Sequence, residues 1–249
     1  MNHKKIIDTL LKTIETVPDS KVVSITRGAH IVGVESRRMG LATWAWSGSH
    51  PIPREKLPRQ EPPGSAKELA QLIRDDNPLN ASLGIAALNA LLPDLPDRAL
   101  VPVNAKQLLL DLGEGKRVAV LGHFPFVEQL RKKFKDLMVF EKKPRPGDIH
   151  ADLIPEKLPR ADLVALTATT ISNKTLGDIF ASCSSTATKI IVGPSTPLTP
   201  ALFDLGFDYI AGTIVQDNTV VKQGIAQDIP FKQLKGVKHV IMGKKKIKP

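Results

Sequence analysis

The chain has 249 residues, 42% of them hydrophobic, and a net charge of +10. That length supports a sizeable core in one large or two modest domains, and no apolar run approaches the roughly 20 residues that span a bilayer. The single cysteine, Cys183, excludes an internal disulfide framework and points to a reducing cytoplasm as the setting.

The charge is unevenly spread. Residues 1–112 carry 14 Lys+Arg against 12 Asp+Glu, and residues 113–249 carry 21 against 13. Half of the second excess is Lys244-Lys245-Lys246-Ile247-Lys248, a pattern typical of a solvated end. With one Tyr and two Trp the chain has few platforms for stacking bases, so nucleic acid is not the expected partner. No small-residue cleavage site follows an apolar core near the N-terminus, so a signal peptide is not expected either.

In chain order, Ile6, Ile7, Leu10, Leu11, Ile14 and Val17 form one apolar stripe and predict a helix over 4–16. Runs at 21–26, 29–34 and 40–46 predict an antiparallel meander. Residues 47–64 are Pro- and Gly-rich and predict a long loop. Ser65 with Glu68 three residues on is a capping box, opening a helix to about Arg74. From Asn80 a nearly all-apolar segment rich in Ala and Gly predicts a buried helix that allows a close neighbour. Its amide, Asn89, either caps a nearby backbone group or faces a cleft between domains.

A Pro-containing link over 93–102 and a helix over 104–112 lead to Val118-Ala119-Val120-Leu121. Four apolar residues without alternation predict a strand covered on both faces, the middle of a parallel sheet. Strands follow at 137–140, 163–167, 189–192 and 209–212, with helices between them, and 219–225 is an element near the sheet edge. This is the pattern of βαβ units, in which ligands settle beyond the carboxyl ends of the strands.

Polar residues cluster just past those ends. His123 follows the first strand, beside Gly122, Phe124 and Pro125, and Glu141 ends the second. Thr167, Thr169, Thr170 and Asn173 follow the third, and Gly193, Pro194, Ser195 and Thr196 follow the fourth. His123 is a candidate acid or base, since an imidazole titrates near neutrality; the alternative is a turn-structuring role. Glu141 lies 19 residues after Gly122, as a ribose-binding carboxylate would, or it is paired with Lys142 and Lys143. Gly-His-Phe-Pro-Phe is not Gly-x-Gly-x-x-Gly, so an ordinary NAD site is not expected. No His-x-x-x-His or Cys-x-x-Cys pair occurs, and no metal ligand is assigned.

Gly84-Ile85-Ala86-Ala87-Leu88-Asn89-Ala90, Gly122-His123-Phe124-Pro125, Phe140-Glu141, Thr167 to Thr175 and Gly193-Pro194-Ser195-Thr196-Pro197 occur in that order. As a set they resemble the "putative heavy-metal chelation" family, from the first meander to about residue 230. The resemblance implies an α/β fold with an enolase N-terminal-like α+β domain over 1–103. A Rossmann-like parallel-sheet three-layer domain over 104–249 follows, partly similar to methyltransferases and ending in the basic tail. It also implies an active site where the two meet, and a role in condensing or hydrolysing flavin-, pterin- or siderophore-like chelating molecules. The ligand is then a small molecule, nucleotide-like or pterin-like. His123 and Glu141 are the catalytic candidates, with Asn89 reaching in from the N-terminal domain. A non-catalytic binding protein for a metal–chelate or nucleotide-like ligand is the alternative, and homo-oligomerisation stays open.

Overall fold

The run at 118–121 has both faces covered. Val118 and Val120 pack with Leu108, Leu109, Val127 and Leu130, while Ala119 and Leu121 lie in a second cluster with Phe140, Val164 and Leu166. The computed structural model describes residues 2–48, 51–59, 64–96, 99–102, 104–122, 124–134 and 136–244. His123, His50 and the last four residues of the lysine tail therefore lie outside the described residues.

The strands are β1 (Ser24–Arg27), β2 (Ile31–Glu35), β3 (Met39–Thr43), β4 (Val118–Leu121), β5 (Leu137–Glu141), β6 (Ile149–His150), β7 (Leu163–Thr167), β8 (Thr188–Val192), β9 (Tyr209–Val215) and β10 (Val237–Gly243). The helices are α1 (His3–Lys12), α2 (Ala66–Ala70), α3 (Pro78–Leu91), α4 (Ala105–Gly113), α5 (Val127–Arg131), α6 (Ile154–Lys157), α7 (Thr169–Ser172), α8 (Leu176–Ser182), α9 (Ala201–Asp204) and α10 (Asn218–Ala226). Strands β1, β2 and β3 make a three-stranded antiparallel sheet. The other sheet runs β10-β9-β8-β7-β4-β5-β6, parallel throughout except for β10. Counted from β4, the parallel strands stand in the order 3-2-1-4-5-6, that of doubly wound sheets, with the switch point between β4 and β7.

Local chemistry explains most of these elements. The Ser65 hydroxyl accepts from the Glu68 amide at 3.1 Å and opens α2, as the capping pattern predicts. Helix α3 starts earlier than Asn80, because Asn77 caps it through the Leu79 amide and Pro78 takes the first turn. Its glycine and a glycine of β3 let neighbours close on it from two sides. A Cβ on Gly84 would lie 2.2 Å from the Ile73 amide nitrogen, and one on Gly40 2.2 Å from the Ala86 carbonyl oxygen.

The structure fills in two segments. Residues 219–225 lie within α10, which packs across β1 and β2 and shares a cluster with Val215 and Val237 at the edge of the large sheet. Val221 and Ile225, one turn apart, join Ile31, Met39 and Leu41, and Asp217 caps the helix through the Val220 amide. The residues after it form β10, paired antiparallel with β9, and the Val101–Ile241 bridge ties the link between the halves to its outer side.

The halves meet over a shared core. Ile6 and Leu10 of α1 belong to the same cluster as Leu166, Ile171, Leu202 and Ile210, and α1 packs on α7, α8 and α9. Polar clasps join the same surfaces. Glu35 accepts from Asn218 Nδ2 at 2.9 Å and Lys222 Nζ at 2.8 Å, and Asp228 accepts from the Ala29 amide at 2.6 Å and Arg54 Nη2 at 2.9 Å. Lys174 pairs with Asp76. No helix among the described residues is long and apolar enough to cross a membrane.

Candidate functional site

The carboxyl ends of the parallel strands carry the sequence-predicted residues, and the structure sorts them into two places. One is the switch point. Gly122, at φ +102°, sits against Thr167, whose Cγ2 would lie 3.1 Å from a Cβ added there. The hydroxyls of Thr167 and Thr169 pair with each other at 3.0 Å. Gly193, at φ +121°, leaves open space where a side chain would stand. Glu141 is next to this crevice, since the Gly122 amide donates to Phe140 O at 3.0 Å. Phe124 stacks on Phe126 with centroids 5.3 Å apart, and Pro125 is exposed beside them.

Three of the predicted groups are taken up by the protein itself. The Thr170 hydroxyl donates to Thr167 O at 2.8 Å, and α7, which carries it, packs under α3. Asn173 Oδ1 accepts from the Thr175 amide and hydroxyl and so shapes the start of α8. The Ser195 hydroxyl accepts from the Thr43 amide at 2.8 Å, stitching β3 to the loop after β8. Pro194 is half-buried in the same loop.

The second place is a cavity of about 300 Å³ between the halves. Its walls are mostly apolar, with Leu41, Leu92, Leu198 and Ile214 among them, and the polar residues reaching it include Arg38, Asn89, Thr196 and Thr213. Asn89 fulfils both roles that the sequence left open. Its Nδ2 donates to Leu41 O at 3.0 Å, tying α3 to β3, while Oδ1 is buried without a partner. A carbonyl at Leu41 tolerates only the NH2 group opposite it, so the orientation is fixed chemically. Thr196, 2% exposed, likewise lines the cavity and its hydroxyl has no partner.

Arg38, in the β2–β3 turn, organises the rim. Its guanidinium donates to Asn89 O at 3.2 Å, to Leu92 O, and to Asp94 at 3.0 Å. These carbonyls belong to the last turn of α3, where the helix has no partners of its own. Burial pulls the Arg38 pKa below its ordinary value, with Asp94 opposing the shift. The sequence analysis missed Arg38. Its signal was a paired arginine in a tight turn before Gly40, which does not say which arginine faces inward.

The two places are separate. Strands β5 and β8 are three strand spacings apart, so Glu141 and Thr196 stand on the order of 14 Å from each other along the sheet edge. Among the described residues no group of three His, Cys, Asp or Glu side chains is placed to hold a metal ion. The cavity's lining holds one thioether, Met39, beside Asn89, two threonines and Asp94, and so lacks the thiolate set that a soft heavy metal favours. Burial pushes the Cys183 thiol up to about 11, so it supplies little thiolate near neutrality.

The fold and site define a two-part α/β protein in which a small antiparallel sheet and its helices roof the carboxyl end of a doubly wound sheet. The chain belongs to the DUF364 family, described as "Putative heavy-metal chelation", whose model matches residues 104–242. A second model with the same description, DUF4213, matches residues 7–92. A Methanocaldococcus jannaschii protein named only as an uncharacterized protein is 32% identical over 142 residues. That match takes in 55% of each chain, so it spans about half the relative's length. A crystal structure of a DUF364 protein of unknown function from Desulfitobacterium hafniense superposes with a TM-score of 0.82 at 25% identity, covering 96% of this chain and 98% of that one. Another from Pyrococcus horikoshii gives 0.77 at 22% identity, covering 98% and 100%, a likeness of fold alone.

Proposed function

We propose that the protein holds a small organic molecule of chelator type, pterin-, flavin- or siderophore-like in size, in the cavity between its halves. The observation that carries this reading is the cavity itself, about 300 Å³ between the halves, lined by Leu41, Leu92, Leu198 and Ile214 with Arg38, Asn89, Thr196 and Thr213 among them. The family description fits a protein that handles the chelating molecule better than one that grips the bare ion. The division near residue 103 into an enolase N-terminal-like and a Rossmann-like domain belongs to the same proposal. It is supported by the gap between the two matched segments, 7–92 and 104–242.

A second reading makes the protein an enzyme that condenses or hydrolyses such a molecule at the switch point, with His123 as its acid or base and Glu141 holding the molecule's hydroxyls or a ring nitrogen. The observation favouring it is the contact of Gly122 with Thr167 at the β4–β7 switch, beside Glu141. Native mass spectrometry of protein purified from its own host separates the two. The cavity reading expects a small-molecule adduct on the wild type that is lost in Leu100→Trp, which fills the cavity from a half-buried wall position. An adduct that survives Leu100→Trp and disappears in Glu141→Ala would replace the first reading with the second.

A further inference from the structure

We infer that the cavity takes a ring bearing a carboxylate, the ring inward and the carboxylate at the mouth, where it displaces Asp94 from Arg38; this rests on the cavity being the ligand site. The Arg38 guanidinium stands at the cavity's edge, because Arg38 and all four of its partners line it. Three of those partners are backbone carbonyls. Nε donates to Asn89 O at 3.2 Å, and Nη2 donates to Leu92 O and to Pro93 O at 3.4 Å. They fix the plane of the group and bring no full charge. The fourth is the Asp94 carboxylate, which meets Nη1 at 3.0 Å.

The two charges are poorly matched. The Arg38 side chain is 32% exposed and that of Asp94 86%. A carboxylate so far in solvent holds its partner loosely, since water competes for it and ordering it costs entropy. Burial pulls the Arg38 pKa down and neighbouring Arg37 adds to the shift, against the opposing pull of Asp94. Among the described lining residues Arg38 is the one cation and Asp94 the one acid. A ligand anchored by its ring would hold a carboxylate against Nη1 already ordered, which is how preorganisation strengthens a contact. The walls set the rest of the molecule. Leu41, Leu92 and Leu198 are buried, whereas Pro93 and Asp94 are exposed, so the apolar end lies inward and the charged end at solvent. A charge sent inward would lose its water without a counter-charge, while an apolar ring gains from the same move.

The test uses three probes on the full chain, with binding followed by NMR through the Arg38 Nε–H signal. These are naphthalene-2-carboxylate, its neutral carboxamide and acetate. The aromatic carboxylate is expected to bind, the carboxamide to bind at least about fivefold more weakly, and acetate not to bind at the same concentrations. Asp94→Asn, a change at an exposed position, should tighten the aromatic carboxylate about two- to fivefold and leave the carboxamide unchanged. Leu100→Trp should abolish binding of both aromatic probes. Equal affinity for the carboxylate and the carboxamide, both lost in Leu100→Trp, overturns the carboxylate inference and leaves the cavity reading standing. An aromatic carboxylate that still binds in Leu100→Trp, or acetate that binds as tightly, places the anion on the outer surface and overturns the inference. An Asp94→Asn variant that binds the carboxylate no better overturns the displacement. A cavity that takes neither aromatic probe overturns the inference as a whole, whereas the adduct experiment above judges the cavity separately.

Discussion

Arg38→Met keeps the aliphatic stem of the side chain and deletes the group that closes the C-terminal turn of α3. The Asp94 arm contributes little, because that carboxylate is 86% exposed. The bonds to Asn89 O and Leu92 O are charge-assisted, each worth about 1.5–3 kcal/mol. The Arg38 side chain is 32% exposed and partly desolvated, so the lower end applies and the loss is about 3 kcal/mol. For a chain of this length each kcal/mol moves Tm by roughly 2–4 °C, giving a fall of about 6–12 °C by differential scanning calorimetry. Because the same turn carries the Asn89 side chain, the variant should also hold less of the small molecule proposed for the cavity. A Tm within about 3 °C of wild type would refute the assignment of Arg38 as the cap of α3.

Gly40→Ala should be destabilising by about 2 kcal/mol, since the new Cβ would meet the Ala86 carbonyl and the Ala90 amide nitrogen, both backbone. The smaller entropic gain of about 0.4–1 kcal/mol in the unfolded chain does not offset this. Urea unfolding reads the difference, and an unchanged midpoint would mean that β3 and α3 are not in such close contact. Glu35 is held below the ordinary carboxylate range by Lys222, then Asn218 and Ser24. Its folded value being depressed, the stabilisation is present at neutral pH and fades as pH falls through the ordinary value of 4.5 and below. Wild type should therefore lose stability more steeply than Glu35→Gln between about pH 5 and pH 3. Parallel pH profiles would show that the clasp between β2 and α10 contributes nothing.

Strands β4, β7 and β8 were legible because a strand buried on both faces writes an unbroken apolar run, and the two core clusters divide those runs residue by residue. The β2–β3 meander and the capped α2 were legible for equally local reasons. The type of α10 was left open in the sequence because Val221 and Ile225 mark an apolar face but not the surface it covers. Strand β10 went unread because its pairing with β9 is set by a neighbour more than twenty residues away. At the candidate site, sequence position at a strand end placed these residues along one sheet edge, yet did not show the use of each hydroxyl. Ser195 and Asn173 look like ligand groups in the sequence, and in the structure backbone and side-chain partners consume them. Asn89 stood out in advance for a sound reason, a lone amide on an apolar helix.

The apolar interior that runs through both halves also bears on how such a protein can change over generations. Exchanging either half for a foreign segment would leave Ile6 and Leu10, or Leu166 and Ile210, without the surfaces they now meet. Each half therefore depends on the other for part of its burial. A change of side-chain volume at that seam in one half is felt by the side chains of the other.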